Sequence, residues 1–168
     1  MATHEISILR HVNPDTTGQV WREPYSLKAT NDVWKQLVWI LNDDDATRAG
    51  LYGLFRVPNN YVGSASIVIY WTAQVTSGDA VFDFDYRAVG GNDAESMDQS
   101  GTQEAATVTD TAPGAVNQLL QAEISLTSGN FAAGDLVSFF LAIDGANGSC
   151  TISDFCTLFE ATFKYTDA

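Results

Sequence analysis

Basic residues are scarce in this chain. Eight Lys and Arg stand against 21 Asp and Glu, a formal charge of −13 over 168 residues. Such a field repels phosphate backbones and anionic bilayers, which sets aside nucleic acid and membrane surfaces as partners. Cysteine is almost missing too: Cys150 and Cys156 are the only two, with five residues between them. In a reducing compartment they are expected as free thiols. Without CxxC spacing or companion histidines they suggest no zinc site. His4 and His11 are the only histidines and GxSxG does not occur, so no Ser–His–Asp order can be assembled. No run approaches the roughly 20 apolar residues that span a bilayer. The opening MATHEISILRHV lacks the basic segment and apolar core of an export signal, which points to synthesis in a cytoplasm.

What is abundant is aromatic and apolar: 4 Trp, 6 Tyr and 9 Phe within 45% hydrophobic content, enough for one domain over 1–168 with a sizeable core. Four segments alternate apolar and polar residues with a period of two: Ile67–Ala73, Val81–Ala88, Leu120–Leu126 and Leu158–Tyr165. In a strand, Phe82, Phe84 and Tyr86 line one face, and Val81, Asp83, Asp85 and Arg87 the other. Ile124 and Leu126 are set against Glu123 and Ser125. Phe159, Ala161, Phe163 and Tyr165 are set against Glu160, Thr162 and Lys164. Each strand buries one face and wets the other, as antiparallel two-layer sheets do. The expected core therefore includes Phe82, Phe84, Tyr86, Ile124, Leu126, Phe159 and Phe163.

Further strands are expected over Met1–Val12, over Val20–Lys28 (held to an edge or a bulge by Pro24), over Trp34–Leu41 and over Val137–Ile143. Arg48–Val57 adds apolar positions, and Gln103–Thr109 is a further candidate strand. Val116–Leu119 reads as a helical turn. Turn formers at Asn13–Gly18, Pro58–Gly63, Thr76–Asp79, Gly90–Asp93 and Asp144–Ser149 punctuate the chain. The count of eight to ten strands predicts an all-β, antiparallel two-sheet sandwich, jelly-roll-like, with no required helix beyond about two turns.

Little in the sequence carries chemistry. Asp83 and Asp85 share a face about 6–7 Å apart along the strand, near the spacing of retaining glycosidases, yet two acids on a wet strand face are ordinary. Asp43, Asp44 and Asp45 offer oxygen ligands for calcium but lack the alternation of an EF-hand loop; Asn92, Asp93, Glu95 and Asp98 offer a similar set. No catalytic, cofactor or metal residue is assigned. Trp21, Tyr25 and Trp34 lie in segments of poor inward alternation and are the interface candidates, with 1–18 a docking arm. The competing expectation is that this N-terminal stretch simply completes the second sheet.

Pro58-Asn59-Asn60-Tyr61, the strand ending Trp71-Thr72-Ala73, the run Gly78 to Ala88 (GDAVFDFDYRA), Phe131-Ala132-Ala133-Gly134-Asp135 and Phe163-Lys164-Tyr165 together resemble small β-rich, virion-associated proteins of tailed bacteriophages. The resemblance covers roughly residues 50–168 and is one of framework residues. It implies a structural virion protein, a capsid decoration or head- or tail-associated subunit, partnered by other virion proteins and forming a homo-oligomer, a trimer for example. The alternative is a carbohydrate- or receptor-binding sandwich module of a tail or fibre, gripping its ligand through loops. A hydrolase using Asp83 and Asp85 is the third possibility.

Overall fold

The computed structural model describes residues 1–17, 19–26, 35–42, 47–92, 94–97 and 104–168. Among them eleven strands form two antiparallel sheets: β1 (Thr3–Ser7), β2 (Val12–Pro14), β3 (Val20–Ser26), β4 (Lys35–Leu41), β5 (Arg48–Arg56), β6 (Gly63–Ala73), β7 (Asp79–Val89), β8 (Glu104–Thr111), β9 (Leu120–Ser125), β10 (Leu136–Asp144) and β11 (Cys156–Thr166). The first sheet runs β3-β4-β11-β6-β9, with β1 also on β11; the second runs β2-β5-β10-β7-β8. The pairs β4 with β11, β5 with β10, β6 with β9 and β7 with β8 are nested. They amount to one long hairpin rolled so that its rungs fall alternately in the two sheets. That nesting makes the expected two-sheet sandwich a jelly roll.

The two inner faces close over one core. Phe82, Phe84, Tyr86, Ile124, Leu126 and Phe163 are all buried, as their alternation requires. Phe159 is not. The register of β11 against β6 slips between Leu158 and Glu160, so Leu158 and Ala161 both turn inward and Phe159 turns out. A bulge inserts one residue and reverses the face of everything before it, which strict alternation cannot anticipate. Phe159 instead packs with Trp21 over Val38 and Ile40 on the outer side of the first sheet.

Trp71 is fully buried, meets Phe82 edge-on at 5.1 Å, and donates its Nε1–H to Asp110 Oδ2 at 2.8 Å. This bond ties β6 of one sheet to β8 of the other, and it satisfies the indole in the apolar interior. At one end of the sandwich Phe163 sits among Phe55, Tyr61, Phe131 and Tyr165, with centroids 5.0–6.2 Å apart across the cluster. Gly53 faces inward; a Cβ there would lie 2.4 Å from the Phe139 ring, so the close approach of β5 to that ring requires glycine.

The N-terminal stretch read as a docking arm is woven into both sheets. β1 pairs with the second half of β11, β2 pairs with β5, and Ile8 is 1% exposed in the core. Pro24 lies on β3, an edge strand, one of the few places where a sheet tolerates a residue without an N–H. Val116–Leu119 forms a turn, with Gln118 N bonded to Ala115 O, where a helical turn was expected. The two ends of the chain meet: Ala2 N donates to Asp167 Oδ1 at 2.8 Å, Asp167 N donates to Ala2 O, and His4 Nε2 lies 2.8 Å from Asp167 Oδ2. Cys156 is buried and Cys150 is half-buried. No helix among the described residues is long and apolar enough to cross a membrane.

Candidate functional site

The two outward faces of the sandwich are built differently. On the first sheet, polar side chains satisfy one another: Ser7 donates to Glu160, Thr162 to Glu5, and Ser66 and Lys164 both to Glu123. Trp21, Phe155 and Phe159 add an aromatic patch beside them, and the second sheet's outer face sets a stacked aromatic pair next to an ion-pair network.

Register explains how. Alternation in β5 turns Ala49, Leu51 and Phe55 inward and leaves Arg48, Gly50, Tyr52, Leu54 and Arg56 outside. Across the sheet, Tyr52 stands opposite Phe140 on β10, which stands opposite Asp85 on β7, which faces Ala105 on β8. The next row reads Gly50, Ala142, Asp83 and Thr107. Tyr52, 53% exposed, stacks on Phe140 with centroids 4.4 Å apart and planes 27° from parallel. Stacking of this kind holds the two rings face to face as one rigid apolar unit, with Tyr52 as its exposed member. Leu54 and Leu136 extend it as exposed apolar neighbours.

Arg48 slants across β10 from its own row to reach two acids on β7. Its guanidinium carbon lies 5.3 Å from the Phe140 ring centre, Nη1 is 2.8 Å from Asp85 Oδ2, and Nε is 3.0 Å from Asp83 Oδ2. Burial works against the arginine's charge, but Asp85, Asp83 and Asp144 outweigh it and raise its pKa above the ordinary value. Asp83 is pushed up chiefly by burial, against the lowering effects of Thr107 and Arg48. Nη2 of Arg48 is buried without a hydrogen-bond partner among the described residues.

Clefts of about 370 and 400 Å³ lie on either side of the Arg48–Asp85 pair, the first floored by Tyr52 and Phe140, the second by Asp83, Thr107 and Asp144. Together they make one open groove across four strands. It offers stacking surface beside ionised donors and acceptors. Such a surface can hold a flat ligand with apolar faces and hydroxyls at its rim.

The residues singled out from sequence fall elsewhere, apart from Asp83 and Asp85. Trp21 lies on the first sheet, its Nε1–H bonded to Glu23 and its ring edge-on to Phe155 at 5.2 Å. Tyr25 belongs to β3. Trp34, Asp43, Asp44, Asp45, Asp93 and Asp98 lie outside the described residues. Among the described residues no three His, Cys, Asp or Glu side chains are placed to hold a metal ion. Sequence reasoning missed Tyr52 and Phe140. The one signal was Arg48, Tyr52, Leu54 and Arg56 at alternate positions, masked by glycines at 50 and 53.

No protein-family model matches the chain, and no curated protein resembles it in sequence. Solved structures do match. A CBM35 from Paenibacillus barcinonensis aligns over 100% of both chains at 12% identity with a TM-score of 0.55. A native family 35 carbohydrate-binding module from Clostridium thermocellum aligns over 100% of both at 13% identity and 0.52. The CBM22-1 xylan-binding domain of Xyn10C from Paenibacillus barcinonensis aligns over 99% of this chain and 94% of its own, at 11% identity and 0.51. Against an arabinose-bound α-L-arabinofuranosidase, the match takes 93% of this chain but only 23% of the enzyme, with a TM-score of 0.53. The likeness is one of fold.

Proposed function

We propose that the protein is a carbohydrate-binding β-sandwich that holds its ligand on the outer face of the second sheet, without catalysing a reaction. The observation that carries this reading is the solvent-exposed Tyr52–Phe140 stack set beside the Arg48–Asp83–Asp85 network. Sugar rings present flat C–H faces that stack on aromatics and hydroxyls that need paired donors and acceptors. Structural neighbours include a domain named as xylan-binding and a module solved with cellobiose, which supports the choice of ligand class. A single guanidinium bridges both carboxylates, so the pair serves as fixed acceptors instead of flanking a scissile bond.

Affinity electrophoresis in gels containing xylan, cellulosic glucan, arabinan or galactan tests the proposal. At least one polymer should retard the protein, Tyr52→Ala should remove the retardation, and thermal melts should show the variant as stable as the parent. No retardation by any polymer would overturn it. Release of reducing sugar, lost in Asp83→Asn, would reinstate the hydrolase.

Of the two settings the sequence suggested within a phage particle, this face favours the glycan- or receptor-binding module over a capsid decoration. Detection in purified virions by mass spectrometry, together with glycan binding, is the outcome that supports that setting.

A further inference from the structure

We infer that the groove takes the interior of a neutral glycan chain and discriminates against polyuronates. The inference rests on the carbohydrate-binding reading above and narrows it to a substrate class.

Charge around the groove supplies the first argument. Its polar floor carries Asp83, Asp85 and Asp144 against the single Arg48. That arginine is already bridged to two of the three acids, so it cannot neutralise an incoming carboxylate without abandoning them. The chain as a whole carries −13, which adds long-range repulsion toward any polyanion. Ionised acids in a half-sheltered cleft nevertheless suit neutral hydroxyls well, since each accepts charge-assisted hydrogen bonds from them.

Shape supplies the second. The groove runs across β5, β10, β7 and β8 rather than sinking between them. Three inter-strand steps of about 4.8 Å make its floor roughly 14 Å long. Among the described residues both clefts open to solvent, with the aromatic pair at one end and Thr107 and Asp144 at the other. A chain can therefore enter at one side and leave at the other. A pocket for a chain end would need one side closed.

Isothermal titration at low and moderate salt reads both halves. The ligands are the neutral polymer retained in the electrophoresis above, its oligosaccharides from one sugar upward, the same oligosaccharides reduced at their ends, and polygalacturonate. Affinity should climb with oligosaccharide length and be indifferent to end reduction. Polygalacturonate should bind on the order of tenfold more weakly, with the gap widening at low salt. Asp144→Asn, which removes one facing charge but no hydrogen-bonded partner of Arg48, should narrow that gap severalfold. Polygalacturonate binding as tightly as the neutral polymer, or a monosaccharide binding as tightly as its oligomers, overturns the inference and leaves the carbohydrate-binding reading intact. Failure of every carbohydrate to bind overturns that reading and the inference together.

Discussion

Truncating Phe163 to Ala is the sharpest test of which face is core. Phe163 lies in the second half of β11, fully buried, between Phe55 of the opposite sheet at 5.0 Å and Phe131 at 5.4 Å. Removing a buried Phe costs about 3–5 kcal/mol, and the value depends on how far the neighbours can collapse into the space. Here those neighbours are rings held by hydrogen bonds beyond the cluster: Tyr61 to Ser128 O, and Tyr165 to Asn60. Collapse is therefore restricted, and about 4–5 kcal/mol is expected. At about 2–4 °C per kcal/mol for a chain of this size, the melting temperature should fall by roughly 8–20 °C. Phe140→Ala is the control. It removes the same atoms from a half-buried position on the outer face, where about half of a full transfer free energy, roughly 1 kcal/mol, is at stake. Urea unfolding followed by tryptophan fluorescence measures both, with unchanged slopes required for the comparison. A Phe163→Ala loss below about 1 kcal/mol, or losses equal at the two sites, would refute the assignment of faces.

Asp110→Ala should cost about 1–3 kcal/mol by leaving the buried Trp71 N–H without an acceptor, while Asp110→Asn, which keeps one, should recover most of it in the same melts. Deleting Met1–Gly18 removes β1, β2 and the buried Ile8, and should abolish the cooperative transition in circular dichroism; a truncated chain melting at the parental midpoint would show the stretch to be dispensable. Glu123 is held below the usual carboxylate pKa by Ser66 and Lys164, so the stability it supplies is present above its unfolded pKa and fades as pH falls through the lower folded one. Glu123→Gln should therefore lose less than about 1 kcal/mol at pH 7 and flatten the acid limb of the stability profile below about pH 5. Asp83 has the opposite sign, its folded pKa being raised by burial, so Asp83→Asn should leave that acid limb no shallower.

Alternation made the sandwich legible because burial on one face is a local property of each strand. Phe82, Phe84 and Tyr86 declare their face within β7 alone. Phe159 misleads for the same reason, since the bulge beside it is set by pairing with β6 and leaves no mark in the local pattern. The nested pairing of strands was beyond reach, being decided by which distant edges meet. The site follows the same division. Asp83 and Asp85 could be placed on a wet face from sequence, but Arg48 lies 37 residues before Asp85 and reaches it only because β10 is laid between them. Phe140 was hidden by the apolar residues around it, which made β10 look buried on both sides; only its register opposite Tyr52 shows that one of those rings belongs to the surface.

The meeting of Ala2 with Asp167 has an engineering consequence. A fold whose two ends leave side by side can be set into a surface loop of another protein, and not only appended to its terminus. The host then closes a loop around a preformed neck, and each doubling of loop length adds only about 0.6 kcal/mol. The exposed rings of the second sheet would travel with the inserted unit, so a host of unrelated shape would acquire the face proposed above to bind saccharides. The same adjacency permits the ends to be joined and the chain reopened at a distant turn such as Asp144–Ser149, giving a permuted sequence for the same rolled hairpin.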